Sequence, residues 1–191
     1  MSARTRLTLH VVRHGQSTWN AEGRLQGQLP DPELTALGRS QAAQAAQDIA
    51  RAVAGATVCV WSSDLVRARQ SAQVIAARLH VPVRQDEALR EQDLGERQGR
   101  LISELGPAPA PPGVHPTEVR WPGGESVADV YDRVCRWLPH ALGTGHEHVA
   151  VVSHGDTIRV LLAVLRGGGH RDVDLTENVR NGSVTVVRIA R

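Results

Sequence analysis

Two distant segments of this 191-residue chain end alike, and that likeness limits the folds open to it. Leu7-Thr-Leu-His-Val-Val12 runs into Arg13-His14-Gly15, and Val149-Ala-Val-Val152 runs into Ser153-His154-Gly155. Each is a short apolar run closed by a histidine and a glycine. Short apolar runs bounded by turn residues read as buried parallel strands. In open α/β sheets, ligands bind beyond the carboxyl ends of the strands. Two histidines from opposite ends of the sequence are therefore expected over one pocket. The glycine after each is expected to let backbone approach a ligand closely. Arg13 adds a permanent cation beside the first histidine. The combination points to chemistry on an anion, with phosphate the leading choice.

Between these segments strand and helix patterns alternate. Strand 7–12 leads into a loop rich in Gly, Gln and Pro through Pro32. A helix is predicted from about Thr35, with Leu37, Ala42, Ala45, Ile49 and Val53 at helical spacing. Thr57–Trp61 reads as a strand. Ser62, Ser63 and Asp64 offer N-caps for a helix carrying Leu65, Ala68, Ala72, Ile75 and Leu79. Val81–Gln85 reads as a short strand, and Gln98–Leu105 as a brief helix. Gly106–Pro116 is Pro/Ala/Gly-rich and is expected as a surface loop. Ser126 and Asp129 form a capping-box pattern ahead of Val127, Val130, Tyr131, Val134 and Leu138. Strand 149–152 feeds a helix from about Thr157 to Leu165, which Gly167–Gly169 ends. Ser183–Ile189 alternates as a final strand. This order predicts a three-layer α-β-α sandwich on a mostly parallel sheet, in one domain spanning 1–191.

Composition removes several functions. Net charge is only +2, so a basic nucleic-acid surface is not indicated. No apolar stretch is long enough to span a bilayer, and the N-terminus lacks the apolar core of a signal peptide. The chain is therefore expected to be cytoplasmic. Nothing in the sequence specifies an oligomeric state. Lysine is absent, since all 22 basic residues are arginine, which excludes a P-loop lysine and a lysine Schiff base. Cys59 and Cys135 are expected as buried thiols, and neither has the arginine six positions later that a cysteine phosphatase loop requires. The best metal candidate is His146-x-His148 with His154 and Asp156. It has no matching carboxylate cluster, so a solvated turn is the preferred reading.

Arg67 falls in the first turn of the predicted second helix, where a cation opposes the helix macrodipole. A bound anion reverses that penalty, because a helix N-terminus favours phosphate and arginine grips it bidentately. The competing reading points Arg67 into solvent, paired with Asp64. Arg69 and Arg159 read as structural or surface residues.

These residues resemble the signature of the histidine phosphatase superfamily, the phosphoglycerate mutase-like proteins. Val12-Arg-His-Gly-Gln-Ser-Thr-Trp-Asn20 carries the first part. Asp31-x-x-Leu-Thr-x-Leu-Gly38 with Gln41-Ala42 follows, then Ser62-Ser-Asp-Leu-Val-Arg-Ala68 and Leu89-Arg-Glu91 with Gly95. Pro122-Gly-Gly-Glu-Ser126 and Val152-Ser-His-Gly155 complete the order. The likeness covers nearly the whole chain.

The resemblance implies a phosphoglycerate mutase-like fold and a role for each residue. His14 is the nucleophile that becomes phosphorylated. Arg13, Arg67 and His154 hold the phosphoryl oxygens, Asn20 helps line the pocket, and Glu91 protonates the leaving oxygen. Glu125 and Ser126 border the site without a catalytic part. No metal or other cofactor is implied. The expected activity is hydrolysis of a small phosphorylated metabolite through phosphohistidine. A phosphoglycerate mutase and a non-catalytic phospho-ligand-binding module are the alternatives. The chain departs from the pattern at Arg97, where tryptophan is frequent. A cation there is expected to favour substrates with a second negative group. It departs again at Asp156, whose carboxylate is expected to stay outside the pocket or to tune His154. The segment between Gly99 and Pro122 is shorter than in the cofactor-dependent mutases, which favours a phosphatase.

Overall fold

The computed structural model describes residues 6–106 and 110–190. Its elements are β1 (Arg6–Arg13), α1 (Thr18–Glu22), α2 (Ala36–Val53), β2 (Val58–Ser62), α3 (Val66–Leu79), β3 (Val83–Gln85), α4 (Val127–Leu142), β4 (His148–Ser153), α5 (Gly155–Leu165) and β5 (Val184–Ala190). Short 3-10 turns fill the connections, among them Ile102–Glu104, all that forms of the helix predicted over 98–105. Residues 107–109 of the predicted loop 106–116 lie outside the described residues.

The five strands form one sheet in the order β3-β2-β4-β1-β5. β1 pairs in parallel with β4, and β4 with β2. β5 runs antiparallel beside β1. Alternation along the strands divides the core in two. Leu7, Leu9 and Val11 of β1 and Val149 and Val151 of β4 pack with α4 and α5. Val12, Val60, Ala150 and Val152 pack on the other face against Ala45 and Ile49 of α2 and Ala72 and Ile75 of α3. The result is the expected α-β-α sandwich. Cys59 is buried in β2, whereas Cys135 is only half-buried on α4.

Local signals placed some helix starts well and missed others. Thr35 caps α2 by accepting the Gly38 N–H, and Ser126 with Asp129 closes a capping box on α4. Helix α3 instead starts at Val66 with Leu65 at the cap and no side-chain bond to it. Ser63 Oγ accepts the Leu65 N–H within the turn, so the serine serves the approach rather than the helix. Helix α5 starts at Gly155, directly after His154 and two residues before the expected start. Helix α1 was not expected at all. It is one turn long, with a Ser17–Asn20 capping box.

Candidate active site

β1 and β4 are adjacent and parallel, so their carboxyl ends lie side by side. Arg13 sits opposite Ser153 in the register, and the His14 N–H donates to the Ser153 carbonyl (3.0 Å). The His14 ring is buried, with Nδ1 2.7 Å from the Gly15 carbonyl. A carbonyl only accepts, so Nδ1 carries the proton and Nε2 the lone pair. The glycine argument needs correction here. A Cβ on Gly15 would stand 2.1 Å from the Gly38 carbonyl oxygen. Gly15 is therefore small to admit the first turn of α2, not a ligand. Its N–H donates to Ser71 Oγ (3.0 Å), which donates in turn to the Arg67 carbonyl (2.9 Å).

His154 is the N-cap residue of α5 and is fully buried. Its ring stands edge-on to His14, with centroids 5.0 Å apart and planes at 60°. Burial first, then the charges of Arg67 and Arg13, hold both imidazoles well below the ordinary histidine range. Both rings are neutral at physiological pH.

Two arginines supply the charge. Arg13 Nη1 donates to the Val179 carbonyl (2.6 Å). Arg67 is fully buried, with Nη2 on the Gly27 carbonyl (2.7 Å) and Nη1 on that of Leu29 (3.0 Å). Burial lowers its pKa to about 10, which leaves it cationic at neutral pH. The solvent-facing reading of Arg67 is thereby corrected. Asp64 pairs instead with Arg90 in a bidentate contact (2.8 and 2.5 Å). Among the described residues, seven buried side-chain nitrogens have no protein hydrogen-bond partner. Four of them belong to Arg13, Arg67 and His154. Native interiors rarely leave such groups unpaired, so their concentration in one place marks where a ligand's acceptors belong.

Glu91 lies at the N-terminus of α5. Its carboxylate accepts N–H bonds from Gln92 (3.0 Å), Asp156 (3.2 Å) and Thr157 (3.2 Å). Burial, reinforced by the Asp156 charge, raises its pKa against the opposing pull of Gln92 N–H, Arg13 and Arg67. Asp156 thus acts on Glu91, which corrects the expectation that it would tune His154. Asp156 also lines the pocket rather than staying outside it, held by Arg159 at 2.6 Å. Arg159 is no surface residue. A Cβ at Gly155 would stand 3.7 Å from Arg159 Nη1, Arg13 Cζ and Glu91 Oε2 alike, so three charged groups converge there.

Three supporting residues left no legible signal in the sequence. Arg133 of α4 donates to the Glu91 carbonyl (3.0 Å) and pairs with Glu125 (3.0 Å), whose carboxylate also takes the Asp93 N–H. Glu125 therefore fixes the loop from behind. Gln28 Nε2 also donates to the Glu91 carbonyl (3.1 Å). Asn181 Nδ2 donates to the His14 carbonyl and to Asn20 Oδ1, both at 3.1 Å. With its oxygen also taken by Ser17, Asn20 presents its amide nitrogen to the pocket.

Arg13, His14, Asn20, Arg67 and Glu91 line one cavity of about 180 Å³, together with Arg24, Asp156 and Arg159. His154 is not among the lining residues, but its ring packs directly against that of His14, which lines the cavity. Arg69 does not line it. His146 and His148 lie at the opposite end of β4, where His148 Nδ1 shares a hydrogen bond with His10 Nε2 (3.0 Å). Among the described residues, no three His, Cys, Asp or Glu side chains are grouped to hold a metal. None of their helices is long and apolar enough to cross a membrane.

Comparison with known proteins agrees with the geometry. Residues 9–191 match the sequence model of the histidine phosphatase superfamily (branch 1). The chain is 38% identical to phosphoglycerate mutase-like protein 4 of Arabidopsis thaliana over 187 residues, 94% of this chain and 78% of that protein. It is 39% identical to a glucosyl-3-phosphoglycerate phosphatase of Mycolicibacterium vanbaalenii over 171 residues, 83% of this chain and 74% of that protein. A solved mycobacterial glucosyl-3-phosphoglycerate phosphatase, in complex with VO3, superposes with a TM-score of 0.80 at 31% identity, covering 96% of this chain and 92% of that one.

Proposed function

The chain belongs to the histidine phosphatase superfamily, and from that premise we propose a phosphomonoesterase that hydrolyses a small phosphorylated metabolite through phosphohistidine on His14. The observation that carries this reading is the set of buried, unpartnered N–H groups of Arg13, Arg67 and His154 around the His14 ring.

The Nδ1–H···O bond to Gly15 fixes the tautomer that presents the Nε2 lone pair. Nε2 attacks phosphorus, and the bond to the ester oxygen breaks. Arg13, Arg67, His154 and the Asn20 amide hold the phosphoryl oxygens. Phosphoryl transfer asks mainly for positioning and charge stabilisation. Glu91 gives its proton to the leaving oxygen. Its raised pKa favours the protonated form, and a bound phosphate dianion offsets the two arginines that oppose the rise. The carboxylate left behind is received by the N–H groups of Asp156 and Thr157. Glu91 then takes a proton from the water that attacks phosphohistidine, which restores the free enzyme and releases phosphate.

Arginine and histidine supply the positive charge throughout, so no step asks for a divalent ion. Activity is expected to survive dialysis against a chelator. Names among the relatives also favour a mutase reading, which differs only in the acceptor of the phosphoryl group. Isomerisation against phosphate release on 3-phosphoglycerate separates the two. The phosphohistidine itself is tested by rapid denaturation during turnover. The label should be acid-labile and alkali-stable, and absent from His14→Ala together with nearly all turnover. Substantial turnover by His14→Ala would overturn the assignment.

A further inference from the structure

Beside the candidate phosphate cavity lies a second, larger one of about 410 Å³, within the range of small-molecule sites. The two share Leu25, Leu94 and Asp156 as walls, which puts the second within reach of a group esterified to a phosphate in the first. The larger chamber is apolar in its chemistry. Leu105, Val119, Trp121, Val127 and Leu175 line it with only three polar side chains among the described residues. Two of those three are engaged elsewhere. Gln92 Nε2 donates to the Glu125 carbonyl (2.7 Å), and Asp156 is held by Arg159. The third, Arg97, has its guanidinium carbon over the Trp121 ring at 4.1 Å from the centroid. Ile102 lines the first cavity and Leu175 the second, and both are large exposed hydrophobics.

We propose that the substrate is the phosphate ester of an apolar alcohol whose hydrocarbon body occupies this chamber. The inference rests on the phosphomonoesterase reading and names the substrate class for that site. A polyhydroxylated leaving group, of the kind the mycobacterial relative's name describes, would bury hydroxyls here against carbon. Each hydroxyl left without a partner costs affinity. An alkyl or arylalkyl group gains by the same burial.

The test uses esters of primary alcohols, whose leaving oxygens make equal demands on Glu91. These are methyl, butyl and hexyl phosphate against glycerol 1-phosphate and glucose 6-phosphate, with p-nitrophenyl phosphate as control. kcat/KM should rise along the alkyl series by up to about fourfold per methylene, the equivalent of ~0.8 kcal/mol per buried CH₂. Hexyl phosphate should exceed both polyhydroxylated esters by about tenfold or more. Leu105→Ser and Leu175→Ser should each flatten the slope. A flat series, or preference for the sugar ester, with p-nitrophenyl phosphate still hydrolysed overturns the chamber and leaves the phosphatase reading standing. A slope that survives both substitutions places the hydrocarbon elsewhere and also overturns it. No turnover of any ester overturns both readings.

Discussion

The edge of the His154 ring faces the His14 ring at 5.0 Å, and both rings share the fields of Arg13 and Arg67. Two imidazoles in that position cannot both charge without strong repulsion and desolvation. In the free protein both are expected to remain neutral at pH 6, while exposed histidines are largely protonated there. Histidine ring resonances followed from pH 8 to pH 5 check this. A His14 ring that charges with an ordinary midpoint would contradict the burial argument. Vanadate should move both midpoints upward.

Glu91→Gln separates proton donation from positioning. The amide keeps the shape and removes the acid. Hydrolysis of alkyl phosphates, which release poor leaving groups, should fall by ~10²–10⁴. Activated aryl phosphates should lose far less. Asp93→Asn should show no such dependence, because the Asp93 side chain accepts the Gly95 N–H. Equal loss on both substrate types in Glu91→Gln would make Glu91 a positioning residue.

Asp156 raises the Glu91 pKa by its charge. The acid role needs protonated Glu91, so activity falls as pH rises through that pKa. Removing the negative charge lowers the pKa. The alkaline limb of kcat/KM for an alkyl ester should therefore move to lower pH in Asp156→Asn, while the acid limb moves less. A shift in the opposite direction would show that the Asp156 charge does not raise the Glu91 pKa.

Arg67 spends two of its N–H groups on the Gly27 and Leu29 carbonyls and keeps Nε without a protein partner. Arg67→Ala should weaken vanadate binding and slow every substrate, by roughly 2–4 kcal/mol if oxyanion-stabilising donors are the guide. That is roughly thirtyfold to a thousandfold in rate. Unchanged vanadate affinity, measured on protein of native melting behaviour, would remove Arg67 from the site.

His10 provides a pH dependence of stability away from the site. Burial, then His148 and Arg188, lower its pKa to about 4. The unfolded chain titrates near 6.5, so between about 4 and 6.5 it binds more protons than the folded one. The stabilisation is complete above about 6.5 and is lost as pH falls toward 4, by about 3 kcal/mol at most. His14 and His154 act in the same direction. Denaturant unfolding at pH 4.5 and pH 7 should show a smaller difference in His10→Gln than in the parent.

The sequence by itself determined the alternation, the parallel strands and most of the candidate residues that the fold brings together around His14. Continuous apolar runs ending in His14 and His154 mark strands buried on both faces, and parallel pairing then sets their ends side by side. Arg67 was legible because a cation in a first helical turn breaks a local rule. What faces what was left to tertiary structure. Gly15 in the loop after β1 answers to the Gly38 carbonyl of α2, Asp64 takes Arg90 instead of Arg67, and Arg159 turns inward beside Asp156. Arg133, Gln28 and Asn181 hold the site from elements far along the chain, through bonds to backbone carbonyls that no spacing announces. The apolar chamber likewise joins Leu25, Leu94, Trp121 and Leu175 from separate loops. Local propensity and periodicity act over a few residues, whereas burial and charge pairing depend on distances that exist only once the chain has folded.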